Sequence, residues 1–327
     1  MFMKIRVMSQ FLKLVRAVAL LACLSVPGQL RAADSGEVLL FSFFRDNGQA
    51  GVFLAASSNG VNFTALNHNQ PVMKPGPWNG QRLTRDPSMV FHDGVFHAVW
   101  TTSWKGNCFG YAESKDLVHW SNPVKVEPFP GAKQPQNTWA PEICWDPVQK
   151  NFIIFWSSKF GPEGNRIYCT RTTDGKTFAE AKLFIDPKFA CIDGMMVFDE
   201  NPAGNRWVLV FKNEEATEKG GKNLHLATAP ADFSEPWAIV PNPIIGPGTK
   251  VFPESMCEGP SLLKTKDGWN LYWDSPLIKK YALATSPDLV NWTDHAADLQ
   301  TPEHPRHGTI FRAPRSAVGW LNPNGEP

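Results

Sequence analysis

Short apolar runs alternate with polar turns along this chain, and one such pattern returns five times. In each copy an apolar strand ends in small residues, a polar turn follows, and an aromatic opens another short strand. The first copy runs from Phe53 through Ala55-Ala56-Ser57-Ser58-Asn59-Gly60 to Phe63. The others run from Tyr111 to Trp120, Tyr168 to Phe178, Leu226 to Trp237 and Ala282 to Trp292, so the closing aromatic recurs every 55–59 residues. Asn59-Gly60 and Asp174-Gly175 supply the left-handed backbone of tight hairpins, and Pro or Asp shapes the other turns. Each copy predicts a β-hairpin.

Two further strands lie between successive hairpins. Met89–Phe91 precedes Val95–Trp100, and Ile143–Trp145 precedes Phe152–Trp156. Met196–Phe198 with Trp207–Phe211 and Ser261–Leu263 with Trp269–Trp273 complete the set. Four strands per repeat with almost no helix predict an all-β fold, a five-bladed β-propeller. A stacked sandwich or a solenoid is the competing arrangement. A fifth inner strand, Gly308–Phe311, has no hairpin after it, while the strands from Val38 to Phe44 and Val52 to Phe63 have no inner strand before them. The two ends are therefore expected to share one blade, which pairs both edges and closes the ring.

Composition changes this picture little. Lys+Arg 32 against Asp+Glu 31, with no basic run, gives no footing for a nucleic-acid partner. An aromatic content of 12% suits packed sheets and sugar-stacking surfaces. The N-terminus stands apart: Lys4, Arg6, Lys13 and Arg16 precede an apolar run from Ala17 to Val26, and Ala32-Ala33 follow. Residues 1–33 read as a secretory signal peptide and residues 34–327 as a single propeller domain. The run is too short to span a hydrocarbon core of about 30 Å, so no membrane span is expected. The implied location is secreted or periplasmic, and Leu20-Leu21-Ala22-Cys23 offers the alternative of a lipoprotein anchored at Cys23. Cys108, Cys144, Cys169, Cys191 and Cys257 are scattered; they form no disulfide framework or zinc pair, and a single bridge stays open.

The chemistry gathers where each inner strand begins. The introducing clusters are Arg85-Asp86-Pro87, Trp139-Ala140-Pro141-Glu142, Ile192-Asp193-Gly194, Cys257-Glu258-Gly259-Pro260 and Arg306-His307-Gly308. In a propeller these matched positions converge on one mouth of the central channel. A lone acid at a strand entrance is usually a solvated turn residue, but Asp86, Asp193 and Glu258 recur at matched points of the repeat. Clustered carboxylates raise one another's pKa, so at least one is expected to hold a proton. Cleavage of a glycosidic bond with inversion uses one carboxylic acid and one carboxylate about 6.5–9.5 Å apart, with water between them. Trp78, Trp104, Trp139 and Trp156 are candidates for a sugar platform, Trp139 first among them. Trp156 and Trp273 lie at strand ends and read more simply as core, and Lys212-Asn213-Glu214 ends the second strand of its blade, where it reads first as a surface turn and alternatively as a residue group that reaches the rim.

In order, Arg85-Asp86-Pro87-Ser88, Trp139-Ala140-Pro141-Glu142, Ile192-Asp193, Glu258-Gly259-Pro260 and Arg306-His307-Gly308-Thr309 resemble the successive signatures of glycoside hydrolase family 43. The resemblance covers the chain from about Val38 to Pro314. It implies that Asp86 is the general base, Glu258 the general acid, and Asp193 the residue that orients Glu258 and tunes its pKa. The substrate-binding candidates are Arg85, Trp139, His307, Trp104 and Trp78. His307 resembles the family's channel histidine, which lies near a bound water or a structural calcium; its plainer reading is a hydrogen-bonded core histidine. No cofactor is required. Two positions depart from the pattern: Gly194 follows Asp193 where Pro is expected, and Glu142 stands where Asp is common. The implied activity is release of a pentose from an oligo- or polysaccharide, of the α-L-arabinofuranosidase or β-xylosidase type. The alternatives are a non-catalytic carbohydrate-binding propeller, or a retaining or phosphorolytic glycosidase in which Arg85 and Arg306 meet phosphate.

Overall fold

The hairpins and the strand pairs between them assemble, among the described residues, into five four-stranded antiparallel sheets. The computed structural model describes residues 36–131, 133–201 and 204–320. The signal-peptide reading of residues 1–33, with the anchor at Cys23, lies outside them. Numbered in chain order, the innermost strands are β4 (Arg85–His92), β8 (Thr138–Asp146), β12 (Cys191–Asp199), β16 (Glu258–Thr265) and β20 (Arg306–Pro314). Each touches the next, from β20 to β4 and around through β16 back to β20, which makes the arrangement a closed five-bladed propeller. No helix among the described residues is long and apolar enough to cross a membrane.

The closing blade is built from both ends of the chain. Strand β1 (Glu37–Phe44) pairs with β20 on one side, Leu40 opposite Phe311, and with β2 (Phe53–Ser57) on the other. A Cβ on Gly308 would collide with the Ser42 carbonyl oxygen, so only glycine lets these two strands close at that point.

Hairpin geometry repeats as faithfully as the sequence does. Asn59, Asp116, Asp174, Asp232 and Asp288 each accept backbone N–H groups from the turn that follows. The next residue is left-handed in every blade: Gly60, Leu117, Gly175, Phe233 and Leu289. Such a side-chain turn fixes the hairpin even where the left-handed position is not glycine.

Packing between blades buries the alternate residues of facing sheets. Met89, Phe96 and Trp100 meet Val38, Leu40 and Phe311 at one seam; Val208, Val210, Leu271 and Trp273 meet at another. The seam that joins the last sheet to the closing one is aromatic: Phe41 lies 4.9 Å from Tyr281, and the Tyr272 hydroxyl donates to the Gly60 carbonyl at 2.8 Å. All five described cysteines are free thiols, which settles the bridge left open by the sequence.

Candidate active site

A β-bulge interrupts each inner strand at the same end of the ring. The pairing register skips between Arg85 and Ser88, Trp139 and Glu142, Ile192 and Met195, and Glu258 and Ser261. A bulge kinks the strand and re-aims a side chain. The bulged residues are Asp86 (φ 50°), Ala140 (φ 47°), Asp193 (φ 54°) and Gly259 (φ 55°). A left-handed non-glycine residue costs on the order of 1–3 kcal/mol, a strain typical of functional sites. Asp86 and Asp193 therefore share one register position. Glu258 does not: it stands one residue earlier, level with Arg85, Trp139 and Ile192, a refinement of the matched spacing read from the sequence.

The three acids nevertheless meet at one mouth. His307 Nδ1 lies 3.5 Å from Asp86 Oδ1 and 3.9 Å from Asp193 Oδ2. The Gly259 N–H, next to Glu258, donates to Asp193 Oδ2 at 3.1 Å. The Thr101 hydroxyl donates to Asp86 Oδ2 at 2.7 Å and accepts from the Ala140 N–H at 2.7 Å. Ser157 Oγ accepts from the Asp193 N–H at 3.2 Å.

Of the two readings of Lys212, the mouth prevails over the surface turn. It lies on β13 (Arg206–Asn213), is 1% exposed, and donates to Glu258 Oε2 at 2.9 Å. On its other side it meets Glu214 at 2.7 Å, and Glu214 meets Lys222 at 2.9 Å. Arg306 completes the clamp, donating through Nη2 to Glu258 Oε1 at 3.0 Å and through Nε to Asp274 Oδ2 at 2.6 Å. A sequence signal for these partners existed. The residues paired with Arg85, Trp139, Ile192 and Glu258 are Thr101, Ser157, Lys212 and Asp274. Each directly follows a buried aromatic, Trp100, Trp156, Phe211 and Trp273. An aromatic followed by a polar residue marks a second ring around the mouth.

At the rim, Trp104 is 49% exposed, and its indole N–H donates to Asn47 Oδ1 at 2.7 Å. Trp139 meets it edge to face at 6.0 Å and donates to its carbonyl at 3.0 Å. The Arg85 guanidinium lies 4.0 Å from the Trp104 ring centroid. Trp78 sits elsewhere: it stacks on Trp100 at 6.3 Å and packs against the core between blades, so its contacts are those of a core residue rather than a platform. Trp156 and Trp273 are buried, as their positions at strand ends suggest.

The family model described as "Probable glycosyl hydrolase domain" matches residues 34–316. The chain belongs to that family, which is related to glycoside hydrolase family 43. No curated protein sequence matches the chain. Among solved structures, a thermostable family-43 glycoside hydrolase is 16% identical with a TM-score of 0.55, covering 72% of this chain and 80% of its own. The catalytic domain of a family-62 α-L-arabinofuranosidase from Coprinopsis cinerea is 13% identical with a TM-score of 0.52, covering 74% and 77%. An exo-β-1,3-galactanase from Phanerochaete chrysosporium, solved with galactose, is 11% identical with a TM-score of 0.51, covering 77% of this chain and 53% of its own. These likenesses speak to the fold.

The electrostatics of this hydrolase divide its acids. Burial raises Glu258, but the Lys212 ammonium and the Arg306 guanidinium outweigh it and leave that carboxyl below its ordinary pKa. Burial pushes Asp193 up to about 6 against the pull of His307 and Lys212, and Asp274 up to about 6 against Arg306. Burial works against a charged His307, yet the surrounding Asp193, Asp86, Glu142 and Glu258 raise its pKa above the usual imidazole value. Beneath it, Glu142 accepts the hydroxyls of Ser88 and Thr309 at 2.6 Å each, and burial still lifts it to about 7. These shifts separate the acids of one pocket, with Asp193 above and Glu258 below its ordinary value. The free site thus keeps its proton on Asp193 more readily than on Glu258.

The calcium expectation concerns an ion near His307 held indirectly, not one caged by side chains. Among the described residues no three His, Cys, Asp or Glu side chains converge as metal ligands. His307 Nδ1 faces Asp86 and Asp193, and both Glu142 oxygens are already engaged by hydroxyls.

Proposed function

We propose that this hydrolase cleaves the glycosidic bond of an oligo- or polysaccharide side chain with inversion, at the mouth that holds Asp86, Asp193 and Glu258. The observation that carries the reading is the asymmetric dressing of those acids. Asp86 is oriented by Thr101 and His307, whereas Glu258 is gripped by two cations, one from each blade that flanks its own. A water between them loses a proton to Asp86 as its oxygen bonds the anomeric carbon. Glu258 gives its proton to the departing oxygen. Lys212 and Arg306 stabilise the anion that Glu258 becomes, and they hold it in that form in the free site, so Glu258 takes up its proton from solvent before the bond breaks. Asp193 holds the Gly259 backbone and places a neutral carboxyl beside Glu258.

The proposed leaving sugar is a pentose, of the arabinofuranosyl or xylosyl type, and the proposed location is outside the cytoplasm. Wild-type protein and Glu258→Gln, assayed on 4-nitrophenyl arabinofuranoside, xyloside and galactofuranoside, test both the class and the sugar. Turnover on a pentoside that collapses in the variant supports the reading; turnover unaffected by the substitution rejects Glu258 as the acid.

The clamp has a kinetic signature. The alkaline limb of the rate profile follows loss of the Glu258 proton. Lys212→Met removes a cation that favours the ionised form, so that limb moves to higher pH, by about 1 unit if one charge-assisted hydrogen bond is lost. Lys212→Arg keeps the charge and holds the limb near its original place. A pH–rate profile of kcat/KM for the three proteins decides this, and an unmoved limb in Lys212→Met contradicts it.

A further inference from the structure

Arg85 and Lys212 are the buried lysine and arginine side chains among the described residues, 8% and 1% exposed. Lys212 is answered by two carboxylates. Arg85 is answered by neutral groups: the Asn47 amide oxygen at 3.3 Å and the rings of Phe44 and Trp104, at 4.6 and 4.0 Å. The neighbouring Asp86 spends its oxygens on Thr101 and His307 instead. A cation withdrawn from water without a counter-charge is costly, and ring faces offset only part of that cost. Arg306, which also approaches Phe44, at 5.7 Å, has Asp274 and Glu258 to neutralise it.

Beyond the bond to Asn47, no carboxylate among the described residues answers the guanidinium's other N–H donors, which lie in its plane along the edge. Such an edge takes a planar oxyanion through two parallel hydrogen bonds. Its position is level with Trp139 and Glu258 and one residue before Asp86, so an anion held there lies at the reacting mouth. Trp104 shares the Asn47 oxygen with Arg85 and keeps 49% of its surface exposed, room for a sugar ring to stack beside the anion.

We propose that Arg85 receives the carboxylate of a uronosyl residue, so that the glycan this enzyme recognises is acidic next to the bond it cleaves. This names the substrate class of the same mouth and rests on its reading as a glycoside hydrolase. A phosphate ion presents the same oxyanion chemistry, and the test separates the two.

The test is calorimetric titration of the full chain with methyl glucuronoside and methyl galacturonoside, with the neutral methyl glucoside and methyl galactoside, and with inorganic phosphate. The wild type is expected to prefer a uronoside to its neutral parent by about tenfold or more. Arg85→Gln erases that preference, and Arg85→Lys, which keeps the charge but not the planar edge, retains part of it. Equal binding of acidic and neutral sugars by the wild type overturns the proposal. So does phosphate binding that depends on Arg85 when the uronosides show none. A preference that survives Arg85→Gln in a folded variant assigns the carboxylate to another cation and likewise rejects Arg85. Binding is read without turnover, so failure of every glycoside to be hydrolysed would count against the hydrolase reading alone.

Discussion

Asp86→Asn lowers kcat by about 10²–10⁴-fold, the usual contribution of a general base, while KM changes little. The substitution is close to isosteric. Asparagine keeps an oxygen for the Thr101 hydroxyl, and it tolerates the left-handed backbone that Asp86 adopts. Thermal stability should therefore stay near that of the wild type, and the loss can be assigned to chemistry rather than folding. The Thr101 hydroxyl that orients Asp86 also accepts the Ala140 N–H, so two blades fix this carboxylate. Steady-state kinetics beside a melting curve check the prediction; an active Asp86→Asn protein would move the base elsewhere.

The second large effect concerns stability rather than rate. Glu142 is raised to about 7 by burial, and Asp193 and Asp274 to about 6. Each is neutral in the folded ring at a pH where the unfolded chain has already released its proton. Below the unfolded carboxylate range both states are protonated and nothing is lost. As pH climbs from about 4.5 to 7, folding must hold these protons, and stability falls. His307 adds to the trend, because a raised imidazole pKa gives stability that disappears as pH rises through it. Glu258, lowered, acts in the opposite sense but below this window. Glu142 alone corresponds to about 3 kcal/mol across the window. The wild type should therefore melt at a lower temperature at pH 7.5 than at pH 5. Glu142→Gln, whose amide can bond Ser88 and Thr309 without titrating, should show a much smaller difference. Melting curves at the two pH values check it, and identical slopes in both proteins would remove Glu142 as a source.

The ring was legible in the sequence because its turns are. Asn59, Asp116, Asp174, Asp232 and Asp288 do local work that any copy of the hairpin needs, so the period survives where residues between them vary. Asp86 and Asp193 were legible for the same reason, each sitting at a strand entrance. Lys212 was hidden. Lys212-Asn213-Glu214 has the composition of a charged turn, and of the two carboxylates that answer Lys212, Glu258 lies 46 residues away along the chain. The one-residue offset of Glu258 was hidden too, since a bulge changes register without changing spacing. Nothing local distinguishes Trp78 from Trp104; Trp100 beneath one and the open mouth beside the other make the difference.

The central claim is that Glu258 protonates the departing oxygen, and leaving-group dependence tests it most directly. For Glu258→Ala, turnover of a glycoside with a poor, alkyl-type leaving group should fall by about 10²–10⁴-fold. A 2,4-dinitrophenyl glycoside, whose leaving group departs without a proton, should lose far less. An equal loss on both substrates would contradict the assignment of Glu258 as the acid.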